Sequence, residues 1–168
     1  ILIGILGARL YYCIFNWDYY REDILEVFKI WNGGLAIHGG ILATLLFTII
    51  YCKKKKLNLL LLLDIFTPGL IIAQAIGRWG NFFNGEAFGP ITTIENLQNL
   101  LIPQFIIDGM YIQGSYHEPT FLYESIWCLI GFIILLIVRN YKYLKNGQLT
   151  GTYLIYYSLG RLIIEGIR

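Results

Sequence analysis

Polar and charged side chains are concentrated in one stretch, "GRWGNFFNGEAFG" at residues 77–89, directly after an apolar run. Arg78 stands at the end of that run, and an arginine at the centre of a membrane helix costs about 2.5–3.5 kcal/mol. Such a charge generally has a partner or a ligand, and a guanidinium beside the amides of Asn81 and Asn84 is a phosphate-binding arrangement. The alternative is a re-entrant turn in which Arg78 and Glu86 neutralise each other.

Glycines divide this stretch, and we expect them to bend its backbone. Non-helical backbone at membrane depth is tolerated only where it lines a cavity or is buried in protein. The four positions concerned are Gly77, Gly80, Gly85 and Gly89.

A second constellation lies near the end of the chain, in "YYSLGRLIIEGIR". Tyr157, Arg161 and Glu165 are spaced i, i+4 and i+8, which predicts one polar stripe on an apolar helix. Alternatively, Arg161 and Glu165 form only a helix-stabilising pair, and Arg168 extends to the lipid headgroups. Two arginine sites at the same depth favour a lipid phosphate over this alternative.

The two histidines differ in their surroundings. His38, in "GGLAIHGG", has glycine pairs on both sides that leave its imidazole accessible. A histidine titrating near pH 6.5 can act as a general base, although a lone histidine on an apolar helix is often a hydrogen-bonded packing residue. His117, in "SYHEPTFLYES", is predicted to be an exposed loop residue.

The three cysteines, Cys13, Cys52 and Cys128, lie far apart in apolar sequence without a CxxC motif. We interpret them as small buried hydrophobic residues and predict no metal site and no cofactor. The formal net charge of +2 gives no reason to expect a nucleic-acid partner.

The composition is that of a membrane protein: 57% of the 168 residues are hydrophobic and 14% are charged, against roughly 25% charged residues in soluble domains. Apolar stretches of about 15 to 25 residues predict an all-α, polytopic transmembrane bundle. About five spans are expected in a single integral-membrane domain over residues 1–168. They cover about residues 1–15, 35–52, 57–83, 120–138 and 149–167.

The only dense basic run, Lys53–Lys56, predicts the topology. The positive-inside rule places these lysines in the cytoplasm, so the next span runs outward and residues 84–119 form a long extracytoplasmic loop. That loop contains no lysine or arginine. The stretch 77–89 is therefore expected at the outer leaflet. Since residues 1–15 already resemble the interior of a membrane helix, we interpret the chain as a fragment truncated at both ends.

"GRWGNFFNGEAFG" closely resembles the signature segment of the prolipoprotein diacylglyceryl transferases, bacterial enzymes of the cytoplasmic membrane. "WNGGLAIHGG" is similar to the His-Gly-Gly segment of that family, "EPTFLYES" to its Pro-rich helix start, and "GRLIIEGIR" to its late arginine–glutamate helix. The segments follow in the family's order, and the resemblance covers nearly the whole chain.

The resemblance implies transfer of the diacylglyceryl group from phosphatidylglycerol to the lipobox cysteine of a prolipoprotein signal peptide. A thioether forms and glycerol phosphate is released, without metal or cofactor, on the extracytoplasmic face of the bilayer. His38 is implied as the base. The other implied site residues, which bind phosphatidylglycerol or stabilise its leaving phosphate, are Arg78, Asn81, Asn84, Glu86, Gly89, Tyr157, Arg161 and Glu165. We expect Glu86 and Glu165 to orient the two arginines.

Two features depart from the family pattern. The usual His-Pro dipeptide is here His117-Glu118-Pro119, and the family's first span, with a functional tyrosine, and its final span have no counterpart. Activity of this chain alone is therefore not expected. The alternative function is a transporter or channel subunit with Arg78, Arg161 and Glu165 along its path, which requires polar residues at several depths. A purely structural subunit would tolerate neutral residues at these positions.

Overall fold

The computed structural model describes residues 2–21 and 23–167. The chain divides into two compact units, one ending at Leu59 and the other beginning at Leu60, and each is described by itself. The first unit contains α1 (Leu2–Phe15), α2 (Trp17–Tyr20), two short 3-10 helices (Ile24–Phe28 and Ile30–Asn32) and α3 (Ile37–Lys55). The second contains α4 (Leu59–Asn84), β1 (Ile91–Thr92), α5 (Ile94–Asn99), α6 (Gln104–Gly109), β2 (Tyr111–Ile112), β3 (Ser115–His117), α7 (Thr120–Arg139) and α8 (Gln148–Ile167).

In the first unit, α1 and α3 pack closely because glycines face each other. A Cβ on Gly7 would meet the main-chain oxygen of Gly39 at 2.7 Å, and one on Gly39 would meet that of Gly7 at 2.5 Å. Small residues at a helix interface allow two helix backbones to approach closely. Such packing stabilises helix pairs in a membrane, because the lipid is as apolar as the helices and the hydrophobic effect does not drive their association.

In the second unit, α7 shows two distinct faces. Four isoleucines at helical spacing are between 47% and 68% exposed: Ile126, Ile130, Ile133 and Ile137. The opposite face is buried and includes Glu124, Cys128 and Leu135. An apolar face without a protein partner is expected where a helix meets lipid, so the buried polar groups on the other face must be paired within the protein.

The pairing of α7 with α8 is specified by one aromatic contact. Trp127 stacks on Tyr156 with 4.7 Å between ring centroids. The Trp127 indole donates to the Tyr156 carbonyl at 3.2 Å, and the Tyr156 hydroxyl donates to the Trp127 carbonyl at 2.9 Å. A Cβ on Gly160 would collide with the Trp127 ring, so this helix pair requires glycine there.

Among the described residues, α3, α4 and α7 are long and apolar enough to cross a membrane, and α1 is a shorter apolar helix. The all-α membrane bundle predicted from the sequence is therefore confirmed, and the chain is part of a multi-pass membrane protein. The count of five spans, which includes α1 and α8, stays a prediction. The helix bounds agree closely with the expected spans, for example Thr120–Arg139 against residues 120–138.

Residues 84–119, expected to form a long loop, contain ordered structure. A three-stranded antiparallel sheet has the order β1-β3-β2, with Ile91 opposite His117 and Tyr111 opposite Tyr116. Beside it, α5 and α6 bury an apolar cluster with the start of α7: Leu97, Ile102, Ile106, Ile107, Met110 and Phe121. The side of the membrane on which this segment lies stays a prediction.

The cysteine prediction is confirmed, because all three thiols are free and buried. Cys13, Cys52 and Cys128 are 3%, 3% and 2% exposed. Each packs as a small hydrophobic residue.

Near the N-terminal end of α4, the carboxylate of Asp64 caps the start of α8. Its two oxygens accept the N–H groups of Gly147 at 2.6 Å and Thr150 at 2.8 Å, and the Thr150 hydroxyl at 2.7 Å. The first N–H groups of a helix lack intrahelical partners and carry partial positive charge, so a carboxylate is favourable there. Asp64 is only 8% exposed, and α4 thus fixes the position at which α8 begins.

Replacing Asp64 by alanine is expected to destabilise the second unit by about 1–3 kcal/mol, because buried N–H groups lose their acceptor. The measurement is the thermal midpoint of the detergent-solubilised protein, with the exposed carboxylate variant Glu95→Ala as control. An unchanged midpoint for Asp64→Ala would show that water replaces the cap.

Candidate functional site

Two arginines from different helices converge on one carboxylate. Arg78 of α4 places its Nε 2.7 Å from Glu124 Oε2, and Arg161 of α8 places its Nη1 3.1 Å from both Glu124 oxygens. Glu124 lies on the buried face of α7 and is 5% exposed. Burying one charge is costly unless it is paired, so each member of this cluster fixes the other two. We call these three residues the Arg–Glu–Arg cluster.

Two residues of α8 extend the cluster. The Arg78 Nη2 donates to the Tyr157 hydroxyl at 3.3 Å, and the Arg161 Nη2 donates to Glu165 one turn along the helix. The side chain of Glu165 is 57% exposed, whereas those of Arg161 and Arg78 are 34% and 21% exposed. The structure thus brings Tyr157, Arg161 and Glu165 onto one stripe as the i, i+4, i+8 spacing predicts.

Glu124 is the site residue that sequence reasoning missed. It lies in "EPTFLYES", a segment in which the sequence pattern predicts only the start of a helix. The available signal was a carboxylate inside an apolar span, which is rare unless it pairs with a cation.

The expectation that Glu86, the carboxylate of the signature stretch, orients an arginine is wrong. Glu86 is exposed and forms no ion pair with a described residue, because Arg78 turns toward α7 instead. For the same reason, the alternative in which Arg78 and Glu86 neutralise each other is excluded. Of the two carboxylates expected to orient arginines, Glu165 does so.

The expected bending of the backbone is correct for only part of the signature stretch. Helix α4 continues through Gly77 and Gly80 to Asn84, and the helix gives way to a loop only at Gly85, with φ of +63°. Apolar surroundings favour an unbroken helix because every main-chain group must find its partner internally. Arg78, Asn81 and Asn84 therefore project from a helix rather than from a turn.

The amides of the stretch differ in exposure. Asn81 is half-buried, and its carbonyl accepts the Glu86 N–H at 2.9 Å; Asn84 is exposed at the end of α4. Neither side chain donates to another described residue, so both amides are free to bind a ligand.

The loop that follows α4 is held by the segment that precedes α7. The Gly89 N–H donates to the Glu118 carbonyl at 2.9 Å, and the Thr120 hydroxyl donates to the Ala87 carbonyl at 2.9 Å. A Cβ on Gly89 would meet the Thr120 methyl at 2.8 Å and Glu118 Cβ at 3.0 Å. Gly89 thus permits a close approach between the ends of α4 and α7.

His117 is not the exposed loop residue that the sequence predicts. It is 8% exposed, lies against Phe88 with 4.4 Å between the centroids of the two tilted rings, and places Nδ1 3.0 Å from the Gly89 carbonyl. Strand pairing with β1 and β2 turns it inward. Its position therefore gives it a structural role in holding the signature loop.

In the first unit, His38 is the second residue of α3 and is exposed. It makes no hydrogen bond to a described residue, so the alternative of a hydrogen-bonded packing histidine is not observed. Arg168 of the late segment lies outside the described residues.

The fold and the cluster define the class: an integral-membrane helical protein with two partly buried arginines that are paired to one buried carboxylate. The family profile for prolipoprotein diacylglyceryl transferase matches residues 1–168, and the chain belongs to that family. A phosphatidylglycerol–prolipoprotein diacylglyceryl transferase of Listeria innocua serovar 6a is 51% identical over 168 residues, which is 100% of this chain and 60% of the relative. One of Streptococcus pneumoniae is 53% identical over 167 residues, or 99% and 62%. The chain spans about 60% of the length of such curated relatives.

Proposed function

We propose that the protein containing this chain transfers the sn-1,2-diacylglyceryl group of phosphatidylglycerol to the lipobox cysteine of prolipoproteins, the first step of lipoprotein maturation. Membership of the family and the names of its relatives support this reaction. The structural observation that carries the proposal is the Arg–Glu–Arg cluster, because two guanidinium groups held in a partly buried site can bind and stabilise a phosphate.

The charges of the site are balanced before a lipid binds. Arg78 and Arg161 carry two positive charges, and Glu124 and Glu165 carry two negative charges. A phosphodiester must therefore bind to an arginine N–H group that no carboxylate occupies. Glu165 lies at the exposed edge and pairs with Arg161 only. Arg78 Nη1 makes no hydrogen bond to any described residue, so it remains available to a phosphate oxygen.

In the proposed reaction, the cysteine sulfur attacks the glycerol carbon that bears the phosphate. A carbon–sulfur bond forms while the carbon–oxygen bond breaks, and its electron pair leaves with the phosphate oxygen as glycerol phosphate. Arg78 and Arg161 stabilise the charge that develops on that oxygen. Asn81, Asn84 and Tyr157 donate to phosphate or glycerol oxygens, and Gly89 shapes the adjacent loop.

The thiol needs to lose its proton, because a free cysteine with a pKa near 8.5 is mostly protonated at neutral pH. We propose His38 as the base that accepts this proton. Its exposure supports access by a peptide substrate, and no metal or cofactor takes part.

We further propose that residues 1–168 belong to one transferase domain in the bacterial cytoplasmic membrane, with the site toward the extracytoplasmic face. The lysines at the end of α3 and the absence of lysine and arginine from residues 84–119 support this orientation.

The test reconstitutes the full-length protein in phosphatidylglycerol vesicles with a lipobox peptide and measures the peptide mass. The proposal requires a mass increase equal to one diacylglyceryl group on the cysteine. A Cys→Ser peptide and vesicles of phosphatidylcholine serve as controls. Absence of the modified peptide under conditions in which the protein remains folded would contradict the proposed reaction.

The transporter or channel alternative is not favoured. A transport path requires polar residues at several depths. Besides the Arg–Glu–Arg cluster, the buried polar residues Asp64 and Thr67 do occur in the first half of α4. However, the oxygens of Asp64 are occupied by the start of α8, and the Thr67 hydroxyl lies 2.8 Å from the Leu63 carbonyl and 3.1 Å from the Thr150 hydroxyl. These groups stabilise helices rather than line a path.

A further inference from the structure

Arg9 of α1 is a charged residue that the proposed reaction does not use. It is 4% exposed. An arginine has five N–H groups. All five of those of Arg9 reach main-chain carbonyls in the connection between α2 and α3, within residues 26–34. The acceptors are the carbonyls of Val27 at 2.9 Å, Gly33 at 2.6 Å, Gly34 at 3.0 Å, Glu26 at 2.6 Å and Lys29 at 3.3 Å.

No carboxylate forms an ion pair with Arg9 among the described residues. The Glu26 carboxylate instead accepts a hydrogen bond from Lys29 at 2.6 Å, which lowers the pKa of the Glu26 carboxyl. The Tyr20 ring lies 5.2 Å from Arg9 Cζ and, with the carbonyl dipoles, offsets the charge. Because every donor of Arg9 is occupied, this guanidinium has no free N–H for a ligand, and its effect is to hold the connection.

The connection held by Arg9 leads directly into the helix that carries His38. Gly33 and Gly34 have φ of +83° and +74°, and the next contact is the Ala36 N–H, which donates to the Ala8 carbonyl at 3.1 Å. Helix α3 begins one residue later. The main chain before His38 is therefore attached to α1 at two successive points, while the imidazole itself is exposed.

We propose that Arg9 is a positioning residue for His38: it fixes the path of residues 26–36 and thereby the point at which the imidazole is presented. This inference rests on the proposed role of His38 as base. Lysine cannot replace Arg9, because a single ammonium offers three N–H groups from one point and cannot reach five carbonyls in a plane.

The test is a double-mutant cycle in the full-length protein, assayed with phosphatidylglycerol vesicles and a lipobox peptide. Arg9→Lys is expected to lower kcat by about 10- to 100-fold with less than a threefold change in KM, the scale expected when a catalytic group moves by about 1 Å. In a His38→Gln background, the same substitution is expected to lower kcat by less than about twofold, because the group it positions is absent.

An equal fold-change in both backgrounds would overturn the proposal, and so would full activity of Arg9→Lys. If His38→Gln alone leaves kcat unchanged, the proposed base is wrong while transfer to the peptide still stands, so the two failures are distinguishable.

Because Arg9→Lys can also prevent folding, a second pair of variants tests the same point. A methyl group at Gly34 would meet Arg9 Nη1 at 2.5 Å, whereas one at Gly33 would meet no atom within 4 Å, and both positions have positive φ. Gly34→Ala is therefore expected to lower kcat at least fivefold more than the matched control Gly33→Ala, and this difference should vanish in the His38→Gln background. Equal effects of the two alanines would overturn the proposal.

Discussion

Replacement of Glu124 by glutamine is expected to lower turnover at least about 100-fold while the protein still reaches the membrane. The substitution keeps the size of the side chain but removes the charge that lies 2.7 Å from Arg78 and 3.1 Å from Arg161. Removing one partner of a buried ion pair costs about 3–5 kcal/mol, because the remaining charge is uncompensated. Here two guanidinium groups would repel each other and leave their positions. The measurement is kcat for diacylglyceryl transfer to a lipobox peptide.

Two controls separate this effect on turnover from the loss of any surface charge and from a loss of folding. Glu95→Gln removes an exposed carboxylate in α5 and is expected to leave kcat within about twofold of the unchanged protein. The thermal midpoint of Glu124→Gln in detergent reports whether the helices still pack. Normal turnover of Glu124→Gln would show that the two arginines do not depend on this carboxylate.

Replacement of Arg78 by alanine is expected to abolish measurable turnover while expression persists. Arg78 contacts both Glu124 and Tyr157, and its Nη1 is the group proposed to reach the phosphate. Loss of one donor that stabilises a developing oxyanion costs about 100- to 1,000-fold in kcat. Arg78→Lys is expected to retain a small fraction of activity, because an ammonium keeps the positive charge but lacks the several coplanar N–H donors of a guanidinium.

The division of this effect between kcat and KM distinguishes two roles. An arginine that chiefly holds the headgroup raises KM for phosphatidylglycerol, whereas one that chiefly stabilises the leaving phosphate lowers kcat. Arg139→Ala, which removes an exposed arginine at the end of α7, is the matched control. Unchanged kcat and KM in Arg78→Ala would remove the basis of the proposed site.

The sequence predicted the helices well because the bilayer imposes a simple rule on them. An apolar run long enough to cross the membrane must be helical, so the bounds of α4 and α7 followed closely from hydropathy alone. The approach of Arg78 to the Tyr157–Arg161–Glu165 stripe also followed, since the predicted topology places both at the same depth in the membrane.

The sequence could not identify the partner that joins these arginines. Helical spacing shows which residues share a face of α7, but not which neighbouring helix that face meets, so Glu124 was overlooked. The burial of His117 depends on a small sheet formed by residues up to 26 positions apart, Ile91 and His117, a pairing that local pattern does not specify. Gly77 and Gly80 were misread because glycine is tolerated in a membrane helix when the alternative is unpaired main chain.

The Arg–Glu–Arg cluster also bears on how the protein is made. The chain emerges in the order α4, α7, α8, so Arg78 meets Glu124 as soon as the second of these helices has entered the bilayer, and the resulting pair is neutral. Helix α8 follows with Arg161 already paired to Glu165 on its own surface. Once α7 has entered, neither Arg78 nor Arg161 needs to stay unpaired in lipid, and Arg161 joins Glu124 when α8 docks. The same residues that are proposed to bind a lipid phosphate would thus order the assembly of these helices.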